Sequence, residues 1–216
     1  MSHSRYSMRG LYAITEPAAT ESSLAARVRL ALEGGARIIQ YRDKSPDTLR
    51  RRAEARALRR LCGRFDVPFL INDDVELAAA CGAGGVHLGE EDVPLAEARQ
   101  RLGDRAIIGI SCYNRLGRAL EAEAAGADYV AFGRFFPSAS KPQAVQADPA
   151  LLREARSRLR IPIVAIGGIT PENGGPLIEA GADMLAVIQG VFRASDIRAA
   201  AARFAQLFEQ QEEPTR

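Results

Sequence analysis

The chain has 216 residues, 47% hydrophobic and 26% charged, with 29 basic and 27 acidic side chains and a net charge of +2. That length and balance suit one globular domain large enough to fold without disulfides or a structural metal. The near-neutral charge lacks the basic excess of a nucleic-acid-binding domain, and no apolar run approaches the ~18–20 residues of a membrane helix.

In chain order, Met1 to Met8 is short and polar and lacks the apolar core of a signal peptide, so a cytoplasmic protein is expected. A single pattern then repeats: a short β-rich apolar run, a turn, and an Ala/Leu/Arg helix. The predicted strands are Leu11–Thr15, Ile38–Arg42, Phe69–Asp73, Gly85–Gly89, Ile107–Cys112, Tyr129–Phe135, Ile161–Gly167 and Met184–Gln189. Between them lie predicted helical stretches Ser22–Glu33, Pro46–Cys62, Val75–Ala80, Leu116–Ala125, Leu151–Leu159, Glu172–Ala180 and Ser195–Phe208. The pairs Gly35-Ala36, Gly126-Ala127 and Gly181-Ala182 mark helix ends, where glycine accepts the left-handed turn that returns the chain to the sheet.

Strands alternating with helices imply a parallel sheet with right-handed crossovers. Eight such units fit a closed (β/α)8 TIM barrel over residues 1–209 better than an open doubly wound sheet, with a flexible polar tail at 210–216. Cys62, Cys81 and Cys112 are scattered, form no CxxC or Cys/His metal spacing, and read as reduced, packed thiols.

Catalytic groups of such a barrel come from the C-terminal ends of its strands. The second strand ends Gln40-Tyr41-Arg42-Asp43-Lys44. Alternation points Gln40, Arg42 and Lys44 into the mouth and Ile39 and Tyr41 outward. A buried cationic cluster is costly unless an anion relieves it; ordinary salt bridges at a solvated strand end are the other reading. The third strand ends Asn72-Asp73-Asp74 and the fourth leads into Glu91-Asp92. Each carboxylate alone reads more readily as a helix cap or turn residue, but a pair on adjacent strand ends equally suits one hard cation such as magnesium. Ser111 ends the fifth strand, and a cap hydroxyl is the simpler reading there. His87, mid-strand among apolar neighbours, reads as a hydrogen-bonded structural histidine. The loop Phe136–Pro142 offers hydroxyls and Lys141 to a phosphate, or is a polar surface loop. Gly167-Gly168 after the seventh strand and Ile188-Gln189 after the eighth occupy the place where bare backbone N–H groups and a short helix N-terminus bind phosphate in this fold.

The order and spacing of Gly10–Thr15, Gln40–Lys44, Ile71–Asp73, Gly85–Gly89 with Asp92, Tyr129–Gly133, Lys141 and Ala165–Ile169 resemble the thiamine-phosphate synthase family over nearly the whole chain. The resemblance implies a transferase. It would join a pyrimidine methyl diphosphate to a thiazole phosphate, or its carboxylated form, and release pyrophosphate with Mg²⁺. Gln40, Arg42, Lys44, Asn72, Ser111 and Lys141 would contact the pyrimidine diphosphate, within a binding segment that includes Tyr41 and Asp43. Asp73 and Asp92 would hold magnesium. Ser138, Ala139, Ser140 and Gly168 would meet the thiazole phosphate, with backbone groups at Ile188 and Gln189.

Diphosphate departure would leave a stabilised carbocation for the thiazole nitrogen, so catalysis falls to Arg42, Lys44, Lys141, Ser111 and the metal. Two departures stand out: the family's Thr-x-Thr loop is Ser138-Ala139-Ser140, and its Val/Ile-Ser pair is Ile188-Gln189. A thiazole tautomerase, a non-catalytic barrel that binds thiamine precursors, and another phosphate-binding barrel such as a sugar-phosphate epimerase are the competing readings. The partners expected are the two small substrates, with no nucleic acid or membrane and a homo-oligomer left open.

Overall fold

The computed structural model describes residues 8–17, 23–137 and 145–211. Eight parallel strands close into a barrel in sequence order: β1 (Gly10–Ile14), β2 (Ile38–Tyr41), β3 (Phe69–Asn72), β4 (Gly85–Leu88), β5 (Ile107–Tyr113), β6 (Tyr129–Phe132), β7 (Ile163–Ile166) and β8 (Met184–Val187). Around it run α1 (Leu24–Glu33), α2 (Thr48–Arg64), α3 (Val75–Cys81), α4 (Leu95–Leu102), α5 (Leu116–Ala124), α6 (Pro149–Arg158), α7 (Gly175–Glu179), α8 (Gln189–Phe192) and α9 (Ile197–Glu209). The expected barrel is therefore observed. No helix among the described residues is long and apolar enough to cross a membrane.

Strand alternation divides the apolar side chains into two cores. Leu11, Ala13, Ile39, Tyr41, Ile71 and Val86 point outward into the layer between sheet and helices. Tyr12, Ile14, Ile38, Leu70, Ile107, Tyr129, Val164 and Met184 fill the barrel interior. Both faces of each strand are thus buried, as parallel sheets require. The register pairs Asn72 with His87 and Ile14 with Gln40, which brings the strand ends to a common rim.

Acidic or hydroxyl side chains start several helices. Ser23, Asp47, Asp74, Asp148 and Asp196 each accept a hydrogen bond from a first-turn N–H, satisfying donors the helix cannot. The Gly-Ala turns behave as expected, with φ of +95°, +89° and +114° at Gly35, Gly126 and Gly181. Two helices depart from the sequence reading. α4 lies outside the predicted helical stretches; its N-cap is Pro94, with no side-chain cap, and among its residues only Ala98 is fully buried. The predicted eighth strand stops at Val187, and Gln189 opens the four-residue α8 instead.

Candidate active site

A cavity of about 510 Å³ opens at the C-terminal ends of the strands. The alternation holds along β2 and into the loop after it: Gln40, Arg42 and Lys44 line the cavity, while Tyr41 packs in the outer core. The place of Tyr41 and Asp43 in the substrate-binding segment is corrected on this point, because neither lines the cavity. The Tyr41 hydroxyl instead donates to Glu54 at 2.7 Å. Asp43 accepts from the Ser45 N–H at 2.7 Å and pairs with Arg50 at 2.7 Å.

At the next two strand ends the carboxylates separate by role. Asp74 caps α3 through the Leu77 N–H at 2.8 Å and pairs with Arg51 at 2.7 Å. Asp73 turns into the cavity instead, held at a left-handed φ of +64°. Such a conformation in a residue other than glycine marks a backbone that its surroundings hold in place. Asp92 lines the same wall, its Oδ2 accepting the Gly89 N–H at 2.6 Å. Burial, then its hydrogen bond with Asp73 and the Asp73 charge, push the Asp92 carboxyl up, against the Gly89 N–H and the Lys44 charge. The Lys44 Nζ stands 3.2 Å from Asp73 Oδ2. Among the described residues no group of three or more His, Cys, Asp or Glu side chains could hold a metal ion. A pair of carboxylates fits a hard cation that takes its remaining oxygens from water and a substrate diphosphate, the usual manner for Mg²⁺.

Ser111 reaches the cavity from β5, its Oγ 2.8 Å from His87 Nε2. His87 Nδ1 lies 2.8 Å from the Tyr129 hydroxyl. His87 is therefore hydrogen-bonded as expected, yet it also lines the cavity. Tyr113, which sequence reasoning passes over, lines the cavity as well, with φ of +56° at a register shift between β5 and β6. Nothing in its local sequence marks that conformation.

Across the mouth, Gly167, Gly168, Ile188, Gln189 and Gly190 form the opposite wall. Gly168 is required for a reason other than phosphate access. At its φ of +62° an added Cβ would sit 2.3 Å from the Pro137 carbonyl oxygen and 2.8 Å from Phe136 Cβ. Asn173 holds this turn, donating to the Gly168 carbonyl at 3.1 Å and accepting from the Thr170 N–H at 2.8 Å. Asn72 lines the cavity beside Asp73. The expected contacts Ser138, Ala139, Ser140 and Lys141 lie outside the described residues. The cysteines stay apart from the cavity: burial pushes the Cys62 and Cys112 thiols up to about 12 and raises Cys81, which leaves them inert at neutral pH.

The family model described as "Thiamine monophosphate synthase" matches residues 11–191. The thiamine-phosphate synthase of Nitrosococcus oceani is 58% identical over 94% of this chain and 94% of its own. That of Thioalkalivibrio sulfidiphilus is 56% identical over 94% of this chain and 96% of its own. Among solved structures, a thiamine phosphate pyrophosphorylase from Pyrococcus furiosus superposes with a TM-score of 0.85 at 36% identity, covering 96% of this chain and 98% of that one. On its sequence and on its barrel alike, the chain belongs to the thiamine-phosphate synthase family.

Proposed function

We propose that the chain joins a pyrimidine methyl diphosphate to a thiazole phosphate, forming thiamine phosphate and releasing pyrophosphate. The observation that supports it is the asymmetry of the mouth. Arg42, Lys44 and the Asp73–Asp92 pair crowd one rim, and the Gly167-Gly168 turn with the α8 N-terminus faces them. One wall thus suits a metal-bound diphosphate and the other a phosphate monoester.

Asp73 and Asp92 would hold Mg²⁺, which when bound neutralises charge on the leaving diphosphate. Arg42 and Lys44 bind the same group from the loop after β2 and orient it, and Lys141 is assigned to it by family resemblance. Their charges stabilise the negative charge that builds on the leaving diphosphate as the C–O bond breaks. Removing one such preorganised contact costs about 10²–10³ in rate. Gln40, Asn72 and Ser111 position the pyrimidine, so that the methylene carbon faces the thiazole nitrogen and the entropy of alignment is met before reaction. No protein nucleophile enters, and no thiol borders the cavity.

A tautomerase would need a general acid–base set in place of the paired carboxylates and cations. The test is incubation of the purified protein with both substrates, with Mg²⁺ or with EDTA, followed by chromatography of thiamine phosphate and assay of pyrophosphate. Equal release of both products with Mg²⁺, and neither with EDTA, is expected. Isomerised thiazole alone, or binding without turnover, overturns the reading.

A further inference from the structure

Below the mouth runs a chain of hydrogen bonds with both ends on the cavity. Gln40 Nε2 donates to the Tyr12 hydroxyl at 2.6 Å. The Tyr12 and Tyr129 hydroxyls are 2.8 Å apart. Tyr129 meets His87 Nδ1 at 2.8 Å, and His87 Nε2 meets Ser111 Oγ at 2.8 Å. Gln40, Tyr12, His87 and Ser111 border the cavity, yet Tyr12 and Tyr129 are only 1% and 0% exposed. The rings cannot reorient freely. Tyr12 sits edge-on to Tyr129 at 5.9 Å, and His87 stacks on Tyr129 at 5.6 Å.

Counting hydrogens gives this chain a direction. A tyrosine hydroxyl has a single hydrogen, and a neutral imidazole has one donor and one acceptor nitrogen. Tyr12 accepts from the Gln40 amide. Its own hydrogen, fully buried, then goes to the Tyr129 oxygen, since leaving it unpaired would cost a few kcal/mol. Tyr129 in turn donates to His87 Nδ1. His87 therefore carries its hydrogen on Nε2 and donates to Ser111 Oγ. Burial holds both phenols well above their ordinary range, so they keep the hydrogens this requires.

We propose that Gln40, acting through Tyr12, Tyr129 and His87 as positioning residues, fixes the Ser111 hydroxyl as a hydrogen-bond donor toward the bound substrate. Its hydrogen is then free for an acceptor on the substrate, such as a ring nitrogen lone pair or a diphosphate oxygen. In the reverse orientation Ser111 would spend its hydrogen on His87 and could offer the ligand only lone pairs. The inference rests on the function proposed above, but its main readout needs no turnover.

The chain has two histidines, so His3→Gln leaves His87 as the only imidazole signal. Long-range ¹H–¹⁵N correlation on histidine-labelled protein reads its tautomer directly. The Nε2–H form is expected. Gln40→Glu replaces the terminal donor by a carboxylate, which only accepts, read at about pH 8, well above the ordinary glutamate range. It should convert His87 to the Nδ1–H form from three hydrogen bonds away.

Kinetics supply the second arm. Tyr129→Phe should lower kcat/KM about tenfold, and should cost nothing more once Ser111→Ala is present. An Nδ1–H tautomer in the parent protein, an unmoved tautomer in folded Gln40→Glu, or additive costs for Tyr129→Phe and Ser111→Ala overturns the proposal. Should Gln40→Glu not fold, the parent tautomer and the kinetic cycle decide it. Expected tautomers in a protein that forms no thiamine phosphate would sink the functional reading while leaving the relay standing.

Discussion

The Arg50 guanidinium lies 2.7 Å from the Asp43 carboxylate, whose side chain is 2% exposed although it sits between two cavity residues, Arg42 and Lys44. Arg50 also donates to Ser45 at 2.7 Å and to Glu54 at 3.3 Å. This bracket ties the end of β2 to the first turns of α2, so it holds the loop from which Arg42 and Lys44 reach the cavity.

Arg50→Ala should therefore lower both stability and function, although Arg50 touches no substrate. It leaves the Asp43 carboxylate buried without its cation, which is more costly than losing an exposed pair. Arg50→Lys should recover little, because a point charge cannot span Asp43, Ser45 and Glu54 as a planar fork does. Calorimetry should show Tm several degrees lower, and kcat/KM should fall about tenfold. Burial would raise the Asp43 carboxyl, but Ser45 and Arg50 hold it below its ordinary value. The stabilisation is thus complete above the usual carboxylate range and lost as pH falls through the depressed value. The Tm gap between parent and Arg50→Ala should close in strong acid. A gap that persists there would mean the bracket is not electrostatic.

Lys44→Ala separates binding charge from architecture. The side chain is 63% exposed and pairs only with Asp73 among the described residues, so the variant should fold with nearly unchanged Tm. Turnover should drop about 10²-fold. Lys141→Ala should show a loss of several orders of magnitude, an expectation resting on family resemblance because Lys141 lies outside the described residues. Near-parental turnover in either variant removes that lysine from the mechanism.

Asp73→Asn should stabilise the metal-free protein while abolishing its Mg²⁺ response. Asp92 is pushed up by burial and by Asp73, so the folded state holds protons that the unfolded chain releases. Stability then declines as pH rises from the ordinary carboxylate range through the raised value, and the penalty is complete above it. Removing one charge relieves it, and asparagine tolerates the left-handed φ of +64° well. After solvent screening the gain is about 1 kcal/mol at neutral pH, or roughly 2–4 °C in Tm. It should shrink in acid. An unchanged or lowered neutral-pH Tm would show that the two carboxylates do not repel.

The barrel and one wall of the site are legible in the sequence because both rest on simple periods. Alternation along Ile38–Tyr41 sorts Gln40 from Ile39 and Tyr41 without any tertiary information. The same rule does not flag Tyr12 and Tyr129, since a tyrosine in a strand buried on both faces reads as core whichever way it points. Only closure of the barrel, which brings β1 and β6 face to face, turns two core residues into one hydrogen-bonded pair. α4 does carry Leu95, Ala98 and Leu102 at helical spacing, but it is only eight residues long and opens on Pro94 with no side-chain cap to mark its start. Gln189 reads as strand because the apolar run of β8 continues through Ile188 with no turn residue before α8 begins. The strained backbone of Asp73 and Tyr113 has no local signature, since both conformations are imposed from outside.

Alanine at two glycines should move stability in opposite directions. Gly109 faces the barrel interior from β5, and a Cβ there would lie 1.9 Å from Tyr129 Cζ and 2.3 Å from its hydroxyl oxygen. The Tyr129 ring fills the space that the missing side chain leaves, and it is 0% exposed with no room to retreat. Overpacking of this kind costs about 1–3 kcal/mol. Gly117 stands in the first turn of α5, and a Cβ added there would meet nothing within 4 Å. There alanine removes only backbone freedom from the unfolded chain, a gain of up to about 1 kcal/mol. Denaturant midpoints should therefore fall for Gly109→Ala and rise for Gly117→Ala, with activity lost only in the former as Tyr129 is displaced. Equal midpoints for the two variants would mean that the interior relaxes around Gly109, and that Tyr129 is not held where the hydrogen-bond chain needs it.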